Sequence, residues 1–239
     1  MAKSGIFDLE KHFAFYGAYH NNPINIFIHM VFVWPIFFTT LVLLYFTPSL
    51  FNCAKSVTCP CGNTCVLGLN LGFFFALIYA VFYVLMDRKA GSLAAVACLF
   101  CWVGSSFLAS KLGFSLAWKE LFAPPVRAVI PLSASSFFVL ASQVVCWTGQ
   151  FIGHGVFEKR VPALLDNFIQ AFLMAPFFAL QKVVGYEPYP GFITSVAARV
   201  EEEKKARRDK NEKKSTERKC KRRKFGFGFG KQRSYGEGH

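Results

Sequence analysis

Apolar residues in this chain occur in long runs that are separated by short polar stretches. Runs at about 24–46, 67–86, 93–112 and 128–152 each approach the roughly 20 residues that a helix needs to cross a bilayer. A fifth run, 168–184, is shorter and has Pro176 near its middle, where proline kinks a helix, so it either crosses or dips in and returns. The pattern predicts an all-α fold, a polytopic membrane helical bundle with four spans plus a re-entrant or fifth helix.

Polar residues before the first run predict where two helices begin. Asp8 can cap a short helix on which His12, Tyr16 and His20 share one face, and Asn22-Pro23 is typical of the cap and first residue of the next helix. We therefore divide the chain into three parts. They are an amphipathic N-terminal segment, 1–22, a transmembrane helical catalytic domain, 23–186, and a basic tail, 187–239.

Charge is concentrated in the tail. The chain has a net charge of +13, and residues 199–239 carry 16 Lys and Arg against 7 Asp and Glu. Because this segment offers few apolar residues for a core, we expect it to be largely disordered beyond a charged helix extension. Its charge should attract it to anionic head groups of membrane lipids, and we expect no nucleic-acid partner. Loops rich in Lys and Arg favour the cytosolic side of a membrane. With the N-terminus in the cytosol, the basic loops after the second and fourth spans lie there, and so does the tail if 168–184 re-enters.

Eight cysteines are present, and four of them lie in the short stretch 53–65. Their spacing lacks the paired two-residue gaps of common zinc ribbons. If this loop faces an oxidising lumen, disulfides are favoured over zinc.

Three of only five histidines, His20, His29 and His154, lie in two polar patches beside apolar runs. His29 is six residues beyond Pro23, about 9 Å along a helix, so it lies near the membrane boundary. The predicted topology puts His29 and His154 at the same cytosolic face. Neutral imidazoles suit Fe, Zn or Cu, although each histidine could instead cap a helix or satisfy a buried polar contact.

Two further features of the second patch bear on this site. Gly153 and Gly155 flank His154 and permit close approach of backbone or substrate. Glu158 is a candidate carboxylate, but it could equally pair with Lys159 or Arg160 or cap a turn.

Two enzyme classes are disfavoured by the residues present. No Gly-x-Ser-x-Gly elbow occurs, which argues against a serine hydrolase. Membrane desaturases and hydroxylases share the hydrophobicity, but their di-iron centres need more histidines than this chain has.

The two polar patches closely resemble those of the membrane 2-hydroxy-fatty-acid dioxygenase family. The resemblance covers about residues 7–185 and is dense at both ends of that range, on Phe15-Tyr16, Tyr19-His20, Asn22-Pro23, Asn25, His29, Gln150-Phe151, Gly153-His154-Gly155-Val156-Phe157-Glu158-Lys159-Arg160, Pro162-Ala163-Leu164 and Asp166-Asn167. The cysteine-bearing loop and the long basic tail depart from the family pattern, and neither lies in the matching patches.

The resemblance implies an endoplasmic-reticulum membrane enzyme that uses Fe(II) and O2 to remove one carbon from a 2-hydroxy fatty acid in phytosphingosine degradation. His20, His29 and His154 would then be the iron ligands, with Glu158 a further catalytic candidate. A non-enzymatic membrane scaffold or lipid-binding protein is the alternative, motivated by the basic tail and the unusual loop. The oligomeric state and the preferred chain length are not predicted.

Overall fold

A computed structural model describes residues 8–47, 55–58, 64–112, 134–159 and 168–233 of the chain. The described helices and strands, in chain order, are α1 Leu9–Tyr19, α2 Pro23–Tyr45, β1 Lys55–Thr58, β2 Thr64–Leu67, α3 Leu71–Met86, α4 Arg88–Leu112, α5 Ala134–Ile152, α6 Phe168–Val184 and α7 Phe192–Arg233. A π-helical turn, Gly153–Glu158, continues α5.

The described helices form the predicted all-α bundle. By length and composition, Pro23–Tyr45 and Arg88–Lys111 are apolar enough to cross a membrane, and the apolar helix α3 is shorter. Large apolar side chains stay exposed on the outer faces of these helices, among them Phe27, Ile78 and Phe100. An exposed apolar surface of this extent suits contact with lipid. The fold of a membrane helical bundle is confirmed, whereas the crossing of four helices and the re-entry of 168–184 stay predictions.

Helix starts follow the predicted polar signals. The Oδ1 atom of Asp8 accepts a hydrogen bond from the Lys11 amide at 3.1 Å, and that of Asn22 accepts one from the Ile24 amide at 2.9 Å. A third cap, Asn70, accepts from the Phe73 amide at the start of α3. Each cap satisfies a backbone donor that the first turn of a helix leaves without an acceptor.

Helix α6 is fixed to α3 by two tyrosines. Pro176 has no N–H to donate to the carbonyl of Phe172, and the hydroxyl of Tyr79 donates to that oxygen at 3.3 Å. The hydroxyl of Tyr83 donates to the carbonyl of Leu173 at 2.7 Å. The carbonyl for which proline supplies no N–H thus accepts a hydrogen bond from α3, which connects the two helices.

The tail contains a charged helix. We expected 187–239 to be largely disordered beyond a charged helix extension, and that helix, α7, runs from Phe192 to Arg233. Its Glu, Lys, Arg and Ala residues are good helix formers, and no proline interrupts them. Its first turns also pack on α1, where Arg199 pairs with Asp8 at 3.2 Å and with Glu10 at 2.9 Å. Ion pairs and packing with α1 therefore attach the start of the tail to the bundle.

A short hairpin was also not predicted. Strands β1 and β2 pair antiparallel, with Lys55 opposite Leu67 and Thr58 opposite Thr64. The β-branched residues of both segments favour a strand, and the segments are too short to form a stable helix. The prediction of disulfides in 53–65 depends on Cys53, Cys59 and Cys61, which lie outside the described residues.

Candidate metal centre

The bundle brings the three predicted histidines together. His20 follows the last residue of α1, His29 lies in the second turn of α2, and His154 is the second residue of the π-helical turn. Their ring centroids are 4.3 Å apart for His20 and His29, and 4.9 Å apart for each of the other two pairs. One nitrogen of each ring lies within 4.8 Å of the others, and all three side chains are buried. Three converging imidazoles at this spacing can bind one metal ion.

Hydrogen bonds orient two of the rings. The Nδ1 atom of His20 donates to the carbonyl of Tyr16 at 2.8 Å, and that of His29 donates to the carbonyl of Asn25 at 2.9 Å. Because a carbonyl can only accept, both Nδ1 atoms carry the proton and both Nε2 atoms carry a lone pair. Nδ1 bonding to a backbone carbonyl is the usual support of a metal-binding histidine.

His154 is presented by the π-helical turn. The Lys159 amide, in the left-handed conformation at φ 51°, donates to the carbonyl of His154 and closes the turn. Gly153 and His154 are buried on the same face as Gln150, while Gly155 and Val156 are exposed. Single π-helical turns occur frequently at functional sites.

The electrostatics of the site suit a metal ion. Burial lowers the pKa of His20 well below its usual value, the nearby His29 lowers it further, and the hydrogen bond to Tyr16 opposes both effects only in part. A neutral imidazole is the form that binds a metal. Within the described part of the chain, the Nε2 atom of His20 and the Nδ1 atom of His154 are buried without a hydrogen-bond partner. A cation would satisfy the lone pair on Nε2 of His20, and that on Nδ1 of His154 in the tautomer with its proton on Nε2. The donor set therefore fits iron, zinc or copper.

Glu158 has a position that supports the site from outside the histidine group. Its Oε1 atom accepts hydrogen bonds from the backbone amides of Asn21 at 2.6 Å and Asn22 at 2.7 Å, and from Nδ2 of Asn25 at 3.3 Å. Of the alternatives that the sequence left open, the structure favours the cap of a turn, here the turn between α1 and α2. A catalytic role for Glu158 stays a prediction.

The backbone at Gly153, in the π-helical turn, lies very close to the side chain of Asn25 on α2. A Cβ atom on Gly153 would lie 2.3 Å from the Oδ1 atom of Asn25, whereas a Cβ on Gly155 would meet nothing within 4 Å. The expected need for a small residue beside His154 thus applies to Gly153 and does not extend to Gly155.

A largely apolar cavity opens in front of the histidines. It encloses about 860 Å³, including the part open to its surroundings, and extends along α2 from His29 to Thr40, a distance of about 16 Å. No Lys or Arg occurs among the described residues that line it. Besides the three histidines, these are Phe15, Tyr16, Val33, Ile36, Phe37, Thr40, Phe75, Tyr79, Trp147, Gln150, Phe151, Phe172, Ala175 and Pro176.

Sequence reasoning did not assign roles to Tyr16, Asn25 and Gln150. Each is four residues before one of the histidines, and each has a buried side-chain atom that no described residue meets with a hydrogen bond. A polar residue one helical turn before each histidine was the signal that could have found them. Lys159 is exposed, and Arg160 and Asp166 lie outside the described residues.

Comparison with known proteins agrees with this geometry. Residues 6–186 match the model of a family described as Mpo1-like, 2-hydroxy-palmitic acid dioxygenase Mpo1-like. A relative from Saccharomyces cerevisiae, the 2-hydroxy-palmitic acid dioxygenase MPO1, is 28% identical over 176 residues, which are 74% of this chain and 79% of the relative. No solved structure matches the chain significantly. The three histidines, His20, His29 and His154, lie within the matched range, and the chain belongs to the Mpo1-like family of dioxygenase enzymes.

Proposed function

We propose that the protein is an Fe(II)-dependent dioxygenase that shortens 2-hydroxy fatty acids by one carbon, in the α-oxidation step of phytosphingosine degradation. The observation that carries this proposal is the group of three buried histidines at the end of a long apolar cavity. The name of the yeast relative supplies the substrate class. Membership of the family supports the oxygenase chemistry.

The proposed reaction balances without another co-substrate. A 2-hydroxy acid that becomes the acid one carbon shorter and CO2 loses four electrons, and one O2 accepts four electrons to give the new carboxyl oxygen and water. His20, His29 and His154 would hold the iron through the nitrogen atoms that the hydrogen bonds leave available. Bound iron supplies the redox chemistry that allows O2, a triplet molecule, to react with a singlet substrate.

The chain's own residues would bind and orient the substrate. The aromatic side chains along α2 and α3 would surround the alkyl chain and keep water away from its first carbons. A substrate dissolved in lipid gains little free energy from this burial, because lipid is equally apolar. Recognition of the head group near the histidines should therefore decide which lipids react.

We also infer that the protein is a multi-pass protein of the endoplasmic-reticulum membrane with its N-terminus in the cytosol. The apolar spans support a membrane location, and the resemblance to the family supports the organelle. The exposed apolar faces would contact membrane lipids.

Reconstitution tests the proposal. The full chain is purified without O2, loaded with Fe(II), and given 2-hydroxypalmitate and O2; we expect pentadecanoate and one iron per chain. Replacing any one of His20, His29 and His154 by Ala should abolish turnover and iron binding. His12→Ala is the matched control, because His12 lies outside the histidine group and should be dispensable for iron.

Absence of product from folded protein with verified iron would refute the dioxygenase. Absence of stoichiometric metal from the native protein would favour the alternative, a membrane scaffold or lipid-binding protein.

A further inference from the structure

Two buried hydrogen-bond donors lie at the cavity beside the histidines without a partner. The side chain of Gln150 is 6% exposed and that of Tyr16 is 5% exposed, and both line the cavity. Neither Nε2 of Gln150 nor the hydroxyl of Tyr16 has a hydrogen-bond partner within the described part of the chain. Buried polar groups without partners are rare in proteins, so both positions need an explanation.

These donors differ from the nitrogen atoms of the histidines in what could satisfy them. The imidazole nitrogens offer lone pairs, which a cation accepts. The amide N–H of Gln150 and the phenol O–H of Tyr16 offer hydrogens, which only an acceptor such as oxygen can satisfy. A phenol keeps its proton at neutral pH, so the hydroxyl of Tyr16 remains a donor. A bound metal ion would therefore leave both donors without a hydrogen-bond acceptor.

Two other polar side chains near the cavity already donate to partners within the protein. Nε2 of Gln143, two helical turns before Gln150 on α5, donates to the carbonyl of Ile36 and to the hydroxyls of Thr39 and Thr40. The hydroxyl of Tyr79 donates to the carbonyl of Phe172. Polar side chains of the cavity that serve the fold are thus bonded within the protein.

The position of the donors points to the head group of the ligand. The ring of Tyr16 stacks on that of His20, with centroids 3.7 Å apart and planes 8° apart, and Gln150 lies one turn before His154 on the same helix. Both residues therefore lie at the histidine end of the cavity. Among the described residues, no cationic side chain lines the cavity to hold an anion there.

We propose that Gln150 and Tyr16 donate hydrogen bonds to the carboxylate oxygens of the 2-hydroxy acid and select ligands that have this group. This inference rests on the proposed function for the class of substrate. Two neutral donors can orient a carboxylate without forming an ion pair that would slow its release. They are binding residues, and their effect is on recognition of carbon 1.

A comparison of two ligands tests the proposal. Dissociation constants are measured without O2, on the full chain loaded with Fe(II), for 2-hydroxypalmitate and for 2-hexadecanol, in which a methyl group replaces the carboxylate. Gln150→Leu and Tyr16→Phe should each raise the dissociation constant for 2-hydroxypalmitate about tenfold or more, the usual effect of losing a hydrogen bond to a charged group. Affinity for 2-hexadecanol should change less than threefold, and the iron content should be unchanged.

Gln181→Leu is the matched control, because Gln181 donates to the carbonyl of Tyr186 outside the cavity. Its affinities should equal those of the unaltered protein. In turnover, both site variants should raise KM more than they lower kcat, since the lost contact is made before the reaction as well as during it.

The outcomes separate this proposal from the proposed function. If the unaltered protein converts 2-hydroxypalmitate while both variants bind it with unchanged affinity, the donors serve water or the fold, and the inference is overturned while the dioxygenase stands. If the unaltered protein binds the acid without converting it and the variants lose affinity, the inference stands and the dioxygenase fails. Equal losses for both ligands would also overturn it, because they would indicate a damaged cavity.

Discussion

Replacing Gly153 by Ala should disable the site through a single misplaced methyl group. The new Cβ would lie 2.3 Å from the Oδ1 atom of Asn25, whereas ordinary contacts of a Cβ begin at 3.4 Å. The two atoms must therefore separate by about 1 Å, and either Asn25 or the π-helical turn must move.

Both movements affect the histidines. Asn25 is fully buried, its Nδ2 atom donates to Glu158, and its carbonyl accepts from Nδ1 of His29. If the π-helical turn moves instead, His154, the next residue, moves with it. Overpacking of this kind costs about 1–3 kcal/mol of stability, and a displacement of about 1 Å at a reacting centre costs about 100-fold in rate.

Gly155→Ala is the matched control, because the same change two residues later meets nothing within 4 Å. The assays are iron per chain, thermal unfolding in the same detergent, and kcat/KM for 2-hydroxypalmitate. We expect Gly153→Ala to bind less iron and to have a kcat/KM about 100-fold lower. Gly155→Ala should keep the iron content and the kcat/KM of the unaltered protein. Equal iron content and equal rates in the two variants would refute the reasoning. A second check is Asn25→Ala in the Gly153→Ala background, which removes the opposing oxygen and should cost less stability than the two single changes added together.

Three other predictions follow from contacts of the fold. Glu158→Ala should lower the free energy of unfolding by about 1–3 kcal/mol, because two backbone amides lose a charged acceptor. Glu158→Gln keeps an acceptor and should retain stability and turnover. A stable but inactive Glu158→Gln protein would instead indicate catalysis by this carboxylate. Tyr83→Phe should cost about 1 kcal/mol in thermal unfolding without loss of iron, since its hydroxyl bonds the carbonyl of Leu173 away from the cavity, and an unchanged midpoint would contradict this. Phe75→Ala should lengthen the cavity and raise kcat/KM for longer 2-hydroxy acids relative to 2-hydroxypalmitate, and an unchanged ratio would show that Phe75 does not limit chain length.

Much of the fold was predictable because the signals are local. The apolar runs predicted the helices of the bundle, and Asp8 and Asn22 predicted two helix starts that the structure has at those residues. The histidine group was predictable since few histidines occur and the topology placed His29 and His154 at one face.

The remaining features depend on contacts between distant residues. The start of the tail is attached to α1 through Arg199, which pairs with Asp8 and Glu10. A composition rich in charge does not reveal these pairs. The role of Glu158 depends on a turn more than 130 residues earlier in the chain. The π-helical turn has no signal in a pattern that assumes regular helix spacing.

The lining of the cavity has a consequence for how this protein can evolve. The three histidines meet at one end of the cavity and belong to the C-cap of α1, to α2 and to the π-helical turn, while α3 contributes only walls of the cavity, Phe75 and Tyr79. Mutations in α3 can therefore change which lipids fit while the histidines keep their hydrogen bonds and spacing. Paralogues of such a chain could diverge in substrate length through one helix and still inherit the same chemistry.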